Sequence, residues 1–359
     1  MIGPAAARLT VDLDALAHNH AVLRRAAVRA EVAPVLKADG YGLGVGPTAR
    51  RLWAEGARRF FVARLAEGEA LRAELTGARP CTIYVLDGLA EGSSLRMAAA
   101  GLTPVLCSAP QIAAAVADWP RAFPVGLHVD TGMSRQGLRA ADAADAHEAL
   151  ASLDVGLIMS HLGSAANPDS SRNSNQLQQF HQVRQRYPKA LASLAASAGI
   201  FLGPDYHFDL VRPGVSLFGG GPLEQPHPDF QAVATLTAPI LDLRDLRPGD
   251  ILGYGESVRI EQPARVAVVA AGYADGVIRA ARKGGYAWFA GARRRLLIIN
   301  MDILVIEIGD ALAAIGEAVE LLGPDALIDD QAAAAGTVAH EVLVRLGRRA
   351  ERVWRGAAS

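Results

Sequence analysis

Four side chains in the first two thirds of the chain stand where a catalyst would place them. Lys37 closes the apolar run Ala33-Pro-Val-Leu-Lys and opens Lys37-Ala-Asp-Gly-Tyr-Gly-Leu-Gly, whose three glycines let backbone approach a ligand closely. A lysine leaving an apolar strand loses solvation, which favours the neutral amine that attacks a carbonyl to form a Schiff base. A single strand-end lysine more often snorkels to water, so Lys37 alone decides nothing. Arg135 follows the run Val125–Asp130 on a loop of small residues. Its planar, permanently charged guanidinium suits a carboxylate or a phenolate oxygen, although an isolated loop arginine is more often a surface residue. Arg212 ends Phe208-Asp-Leu-Val-Arg and precedes a glycine-rich stretch whose N–H groups could meet a phosphate, a weak signal by itself. His161 closes another short apolar run, where a lone histidine is more often structural than catalytic.

These residues share a pattern. From residue 33 to about 219, short β-type runs alternate with longer helical ones, the sequence form of repeated βα units around a parallel sheet. The runs are Ala33–Lys37, Arg59–Ala63, Thr82–Leu86, Thr103–Cys107, Val125–Asp130, Gly156–His161, a weak one near Ser193–Ser197, and Phe208–Phe218. Eight strands with helices between them predict an α/β fold, a (β/α)8 TIM-type barrel, in which functional groups collect at the C-terminal ends of the strands. An amphipathic helix is expected over Asp14–Val28, and Ile112, Val116 and Trp119 mark a later one. After Gly219 a Gly- and Pro-rich stretch leads into β-type runs at Arg265–Ala271, Arg295–Ile299, Ile303–Ile308 and Ala318–Leu322. The expected organisation is therefore a barrel over residues 1–225 and a mostly β C-terminal domain over 226–359.

Composition narrows the function classes. Basic and acidic side chains nearly balance, 36 against 37, so no field for nucleic acid or an anionic membrane is expected and the partner should be a small molecule. Cys81 and Cys107 have no ligand-type spacing around them, which points away from a disulfide framework or a metal site and fits a reducing compartment. Met1–Asp12 lacks the basic start, apolar run and cleavage site of a signal peptide, and no stretch has eighteen unbroken apolar residues; a soluble, cytoplasmic protein is expected.

Taken together, the motifs resemble the alanine racemases. The similarity runs from about residue 8 to 354 and is carried by Val35-Leu-Lys-Ala-Asp-Gly-Tyr-Gly, His128-Val-Asp-Thr-Gly-Met-Ser-Arg, Val211-Arg-Pro-Gly, Gly253-Tyr-Gly, Gly272-Tyr-Ala-Asp-Gly and Asn300-Met-Asp. The lysine motif is shared with other barrel-type pyridoxal enzymes. The last three motifs belong to the second domain and are more specific.

The resemblance implies a pyridoxal 5'-phosphate enzyme that interconverts L-alanine and D-alanine, a cell-wall precursor, by proton transfer between two bases. Lys37 would hold the cofactor and act on one face of the substrate α-carbon, and Tyr254 would act on the other. A tyrosine of ordinary pKa, about 10, needs assistance to serve as a base, and His161 matches the family histidine that links it to the arginine on the cofactor ring. Arg212 would face the pyridine nitrogen. Tyr41, Ser197, the backbone of Gly214 and Val215, and Trp354 would lie at the phosphate. Arg135 would contact the phenolate oxygen and the substrate carboxylate, the segment holding Met301 and Asp302 would help bind that carboxylate, and Tyr273 would line the way in and favour small side chains. A head-to-tail homodimer with shared active sites is implied, because the family places each tyrosine base in the partner's site.

Four positions depart from the family pattern: His128 stands for a carbamylated lysine, Trp354 for a tyrosine, Leu43 for a histidine and Ala196 for an asparagine. None removes a catalytic group, but they bear on substrate range, cofactor affinity and rate. Alternatives to weigh are a non-catalytic pyridoxal-phosphate carrier, which lacks the second domain, an aldolase or decarboxylase on the same barrel, and a broader or serine racemase.

Overall fold

The computed structural model describes residues 6–76, 79–256 and 258–356; the first five residues of the signal-peptide reading lie outside the described residues. The chain divides into two compact units. One runs from Ala17 to Leu217, and the other joins the residues up to Leu16 to those from Phe218 onward. Among the described residues no helix is long and apolar enough to cross a membrane.

In the first unit six strands lie side by side and parallel in chain order: Arg59–Val62, Thr82–Val85, Leu102–Leu106, Val125–Asp130, Val155–Met159 and Leu191–Ser193. Helices such as Val45–Ala54, Leu65–Glu74, Ala109–Asp118 and Ser171–Arg186 alternate with them. Strands covered on both faces need apolar residues at every position, and Leu102–Leu106 is buried throughout. Beyond this sheet, Val35 bridges Phe61, Ala196 bridges Arg212, and Glu31–Val32 pairs with Leu210–Val211, all in parallel. Phe60, Phe61 and Phe180 are fully buried, and each such ring contributes about 2–3 kcal/mol.

Two expected strands are shorter than the sequence indicates. Of Ala33–Lys37 only the bridge at Val35 remains, the two-residue strand Glu31–Val32 lying just before it, because the chain leaves the sheet after Leu36, whose N–H bonds to the Phe61 carbonyl at 2.8 Å. Of Phe208–Phe218 only Leu210–Val211 is strand; Pro213 has no N–H for a ladder, and Val215–Phe218 winds into a 3-10 turn.

In the second unit six antiparallel strands close a barrel in the order Ala264–Val269, Leu304–Glu307, Ala292–Ile299, Tyr286–Phe289, Ala318–Leu322 and Ala234–Leu246. The last strand completes the ring by pairing with the first, Leu246 opposite Ala264. A bulge between Ile240 and Asp242 lets this thirteen-residue strand serve two neighbours, Ala318–Leu322 through its first half and Ala264–Val269 through its second. Val266, Leu297, Ile298 and Val305 form a core here. A strand that the sequence did not announce, Arg8–Asp12, belongs to this unit although it comes before the parallel strands in the chain: it runs antiparallel to Ala234–Leu246, with Leu9 opposite Leu236, and parallel to Glu351–Arg355, with Val11 opposite Trp354. Two short helices, Ile328–Ala335 and Ala339–Arg345, interrupt the otherwise β character.

Candidate active site

The Lys37 motif folds into a left-handed turn. Ala38, Asp39, Gly40 and Tyr41 have φ between 54° and 62°, and Gly42 follows at 80°. Each non-glycine residue held so costs about 1–2 kcal/mol, and such strain persists only where neighbours fix it. The neighbours are identifiable. Glu67 accepts the N–H of Ala38 at 2.8 Å on one oxygen and those of Ala63 and Arg64 at 2.8 and 3.1 Å on the other, while Asp39 accepts the N–H of Val45 at 2.8 Å. Lys37 is exposed as a residue, yet the protein packed around its ammonium, and next the charge of Arg135, hold its pKa below the usual lysine value.

Arg135 is exposed on its loop, and the loop itself is braced. Asp130 accepts the N–H groups of Gly132 and Met133 at 2.8 Å each and of Ser134 at 2.9 Å. Burial acts to raise the Asp130 carboxyl, but these donors hold it below its ordinary value. Arg172 clamps the carbonyl of Gly132 with two N–H groups at 3.0 and 2.8 Å.

Arg212 is only 3 % exposed, and its hydrogen bonds go to neutral groups: Ser193 Oγ, the Ser160 carbonyl at 2.6 Å, the Leu194 carbonyl at 3.5 Å and His161 Nδ1 at 3.4 Å. Burial pulls its pKa down to about 9. Because a guanidinium can only donate, His161 accepts through Nδ1, which leaves the proton of a neutral ring on Nε2. Burial first, then the charges of Arg212, Arg135, His128 and Lys37, keep His161 neutral, with its pKa well below the usual value. His128 is buried on Val125–Asp130 and is lowered to about 4 by burial, then by Arg212 and Arg135. Gln176, which the sequence reading passed over, ties this region together: it donates to the His161 carbonyl at 2.8 Å and accepts from Gly163 at 2.8 Å. Glu67 and Gln176 sit on helices as ordinary polar residues, and nothing in their spacing marks them.

The residues expected at a phosphate come together in the same unit. Ser197 Oγ accepts the N–H groups of Gly214 and Ser216 at 3.0 and 3.4 Å, and the buried Ser216 Oγ has no hydrogen-bond partner among the described residues. A Cβ on Gly214 would lie 2.0 Å from the Tyr41 hydroxyl, so only glycine admits that hydroxyl here. Burial pushes the Tyr41 phenol above its ordinary pKa, keeping it a neutral donor. The buried Ser197, Ser216 and Tyr41 hydroxyls, with the guanidinium groups of Arg135 and Arg212 and the Lys37 amine in the same unit, are the chemistry that a phosphorylated aldehyde cofactor would need.

The second unit holds a separate cavity of about 1050 Å3, lined by Tyr254, Tyr273, Asn300, Met301 and Asp302 among others. Tyr254 rides a sharp turn between Ile251–Leu252 and Val258–Arg259, with Gly253 and Gly255 both at positive φ, and is 81 % exposed. Tyr273 opens a 3-10 turn, Tyr273–Asp275. Asp302, expected near the substrate carboxylate, is ion-paired to Arg349. Trp354 lies on Glu351–Arg355, half exposed, and is not among the residues lining that cavity.

Residues 11–222 match the model of the alanine racemase N-terminal domain, and residues 233–354 that of the alanine racemase C-terminal domain. The chain belongs to the alanine racemase family. Family relatives include a catabolic alanine racemase of Mesorhizobium japonicum, 41 % identical over 98 % of this chain and 94 % of the relative. A biosynthetic alanine racemase of Agrobacterium fabrum is 39 % identical over 96 % of this chain and 93 % of its own. Among solved structures of the family, the Bartonella henselae alanine racemase with covalently bound pyridoxal phosphate superposes with a TM-score of 0.91 at 32 % identity, over 98 % of this chain and 100 % of that one.

Proposed function

We propose that this protein is an alanine racemase using pyridoxal 5'-phosphate, with Lys37 and Tyr254 as its two bases. The observation that carries the reading is the division of labour between the units: a lysine whose charged form is disfavoured by its surroundings and by Arg135 in one, and an exposed tyrosine on the lip of a cavity in the other. The cofactor, when bound, makes the α-proton of an amino acid acidic. Lys37 would hold it, Tyr41, Ser197, Gly214, Val215 and Trp354 would meet its phosphate, and Arg212 would face its ring nitrogen as a fixed donor.

Inversion at the α-carbon requires a proton to leave one face and return on the other, so two groups must stand on opposite sides. Lys37 supplies one because desolvation favours its neutral amine. Tyr254 supplies the other, and the Nε2–H of neutral His161 is the donor that stabilises its phenolate. Arg135 binds the substrate carboxylate, with the backbone of Met301 beside it. Tyr273 and Met301 restrict the side chain to the size of a methyl group.

The sites belong to a head-to-tail homodimer in which Tyr254, Tyr273, Met301 and Asp302 complete the partner's lysine site. The exposure of Tyr254 and the openness of its cavity support this reading. The first unit closes as a (β/α)8 barrel, a reading supported by the bridges Val35–Phe61 and Ala196–Arg212 and by the pairing of Glu31–Val32 with Leu210–Val211.

Racemisation of L-alanine in deuterated water, followed by chiral chromatography, tests the function. D-alanine carrying deuterium at the α-carbon is the expected product; cofactor-loaded protein that leaves alanine untouched defeats the reading. Mixing inactive Lys37→Ala and Tyr254→Ala chains tests the shared site. Random exchange should restore about a quarter of wild-type activity, because half the dimers then carry one intact site. No recovery on mixing, with exchange verified, would mean that each site is built within one chain.

A further inference from the structure

Arg349 is a residue the proposed chemistry does not use, and it ties together the two loops that carry Tyr273 and Met301. Its Nε and Nη2 donate to the two oxygens of Asp275 at 2.8 and 2.5 Å, Nη1 donates to Asp302, and Nη2 lies 3.5 Å from the Met301 carbonyl. Asp275 is buried, and its Oδ2 also accepts the N–H of Gly272 at 2.8 Å, closing the turn that presents Tyr273. The loops are stitched directly as well: Tyr273 N–H donates to the Asn300 carbonyl at 3.0 Å and Ala274 N–H to that of Met301 at 3.1 Å. Their approach is so close that a Cβ on Gly272 would lie 2.2 Å from the Asn300 oxygen and 2.3 Å from that of Met301.

The side chains of Tyr273 and Met301 are 44 % and 53 % exposed, so packing around them does little to fix their separation. The backbones beneath them are held together by the direct hydrogen bonds between the loops and by the guanidinium that bridges Asp275 and Asp302. Arginine suits the task because its planar fork holds the two oxygens of Asp275 in one plane while reaching Asp302 with its remaining nitrogen, which the point charge of a lysine cannot do.

We propose that Arg349 is a positioning residue that sets the gap between Tyr273 and Met301 and so the size of side chain the substrate pocket admits. The inference rests on the racemase reading and names the origin of its selectivity.

The test is the ratio of kcat/KM for L-alanine to that for L-serine, measured on the holoenzyme for wild type, Arg349→Gln, Arg349→Lys and Asp302→Asn. The ratio does not depend on how much protein is active, so a merely structural loss leaves it unmoved. Arg349→Gln should lower kcat/KM for alanine on the order of ten- to a hundredfold and move the ratio toward serine, with Arg349→Lys recovering only part. Asp302→Asn, which spares the buried Asp275 contact, should move the ratio the same way by about two- to threefold, and Arg349→Lys decides the matter if Arg349→Gln does not fold. An active wild type whose ratio is unmoved in these variants overturns the role of Arg349 alone. A wild type that racemises neither amino acid overturns the racemase reading instead.

Discussion

The two regions that supply the proposed chemistry are built on opposite principles. In the first unit the functional groups are set in place before anything binds: Arg212 is nearly sealed, the Lys37 turn is held in a strained conformation by Glu67, and the Arg135 loop is braced by Asp130 and Arg172. In the second unit Tyr254, Tyr273 and Met301 stand on loops around an open cavity with their side chains exposed, and the loops of Tyr273 and Met301 are tied to each other through their backbones. The difference matches what each has to recognise. A rigid, anionic, unchanging cofactor rewards a preformed cradle, whereas a small substrate that enters and leaves at every turnover needs a surface that another surface can cover.

If that contrast is sound, the two proposed bases should fail in different ways. Lys37→Ala should abolish racemisation, on the order of ten-thousandfold or more, and also the visible absorbance of bound cofactor. Tyr254→Phe should cost roughly a hundred- to ten-thousandfold in rate with the cofactor spectrum intact. Loss of cofactor from the tyrosine variant, or racemisation retained in the lysine variant, breaks the division of labour.

Acid stability should depend on the sealed unit. His20 and His128 are buried and titrate at about 4, first because of burial and then because of Arg24 beside His20 and Arg212 and Arg135 beside His128. Between the ordinary histidine value of about 6.5 and about 4, the unfolded chain binds protons that the folded chain refuses, so stability rises with pH across that window. Each group accounts for up to about 3 kcal/mol, lost as pH falls from 7 to 4. Thermal melts of His128→Gln should show a shallower decline between pH 7 and pH 5 than wild type; parallel curves would mean His128 is not held neutral. A smaller effect is expected at the cradle. Gly214→Ala must displace the Tyr41 hydroxyl, and cofactor affinity measured by fluorescence titration should fall by about tenfold. Unchanged affinity would remove Tyr41 and Gly214 from the phosphate site.

The parallel sheet was legible because buried strands announce themselves as short apolar runs, and residues 59–63, 82–86 and 125–130 lie on observed strands almost end for end. Lys37, His161 and Arg212 stood out as candidates because polar residues closing such runs are few, and Arg135 because it follows one on a loop of small residues. The first strand, Arg8–Asp12, was not: five residues with two buried positions carry no signal until Ala234–Leu246 and Glu351–Arg355 flank them. Ala234–Leu246 was missed because its later half is half exposed and charged, and a bulge breaks its alternation. The left-handed turn was hidden for a different reason. Glycine at 40 and 42 permits it, but Ala38, Asp39 and Tyr41 disfavour it, and the groups that hold it, Glu67 and the sheet edge at Leu36, are supplied by the fold. Arg349 escaped notice because its partners lie 74 and 47 residues away in the chain.

That turn also has a stereochemical consequence. Ala38, at φ 54° and ψ 48°, occupies a backbone region that is the mirror image of the one an L-residue prefers. A D-alanine introduced there by chemical ligation would find its own comfortable conformation, whereas the same exchange inside a right-handed helix would be disruptive. At the threshold of its lysine the protein thus keeps an alanine of its own in the posture of the opposite enantiomer.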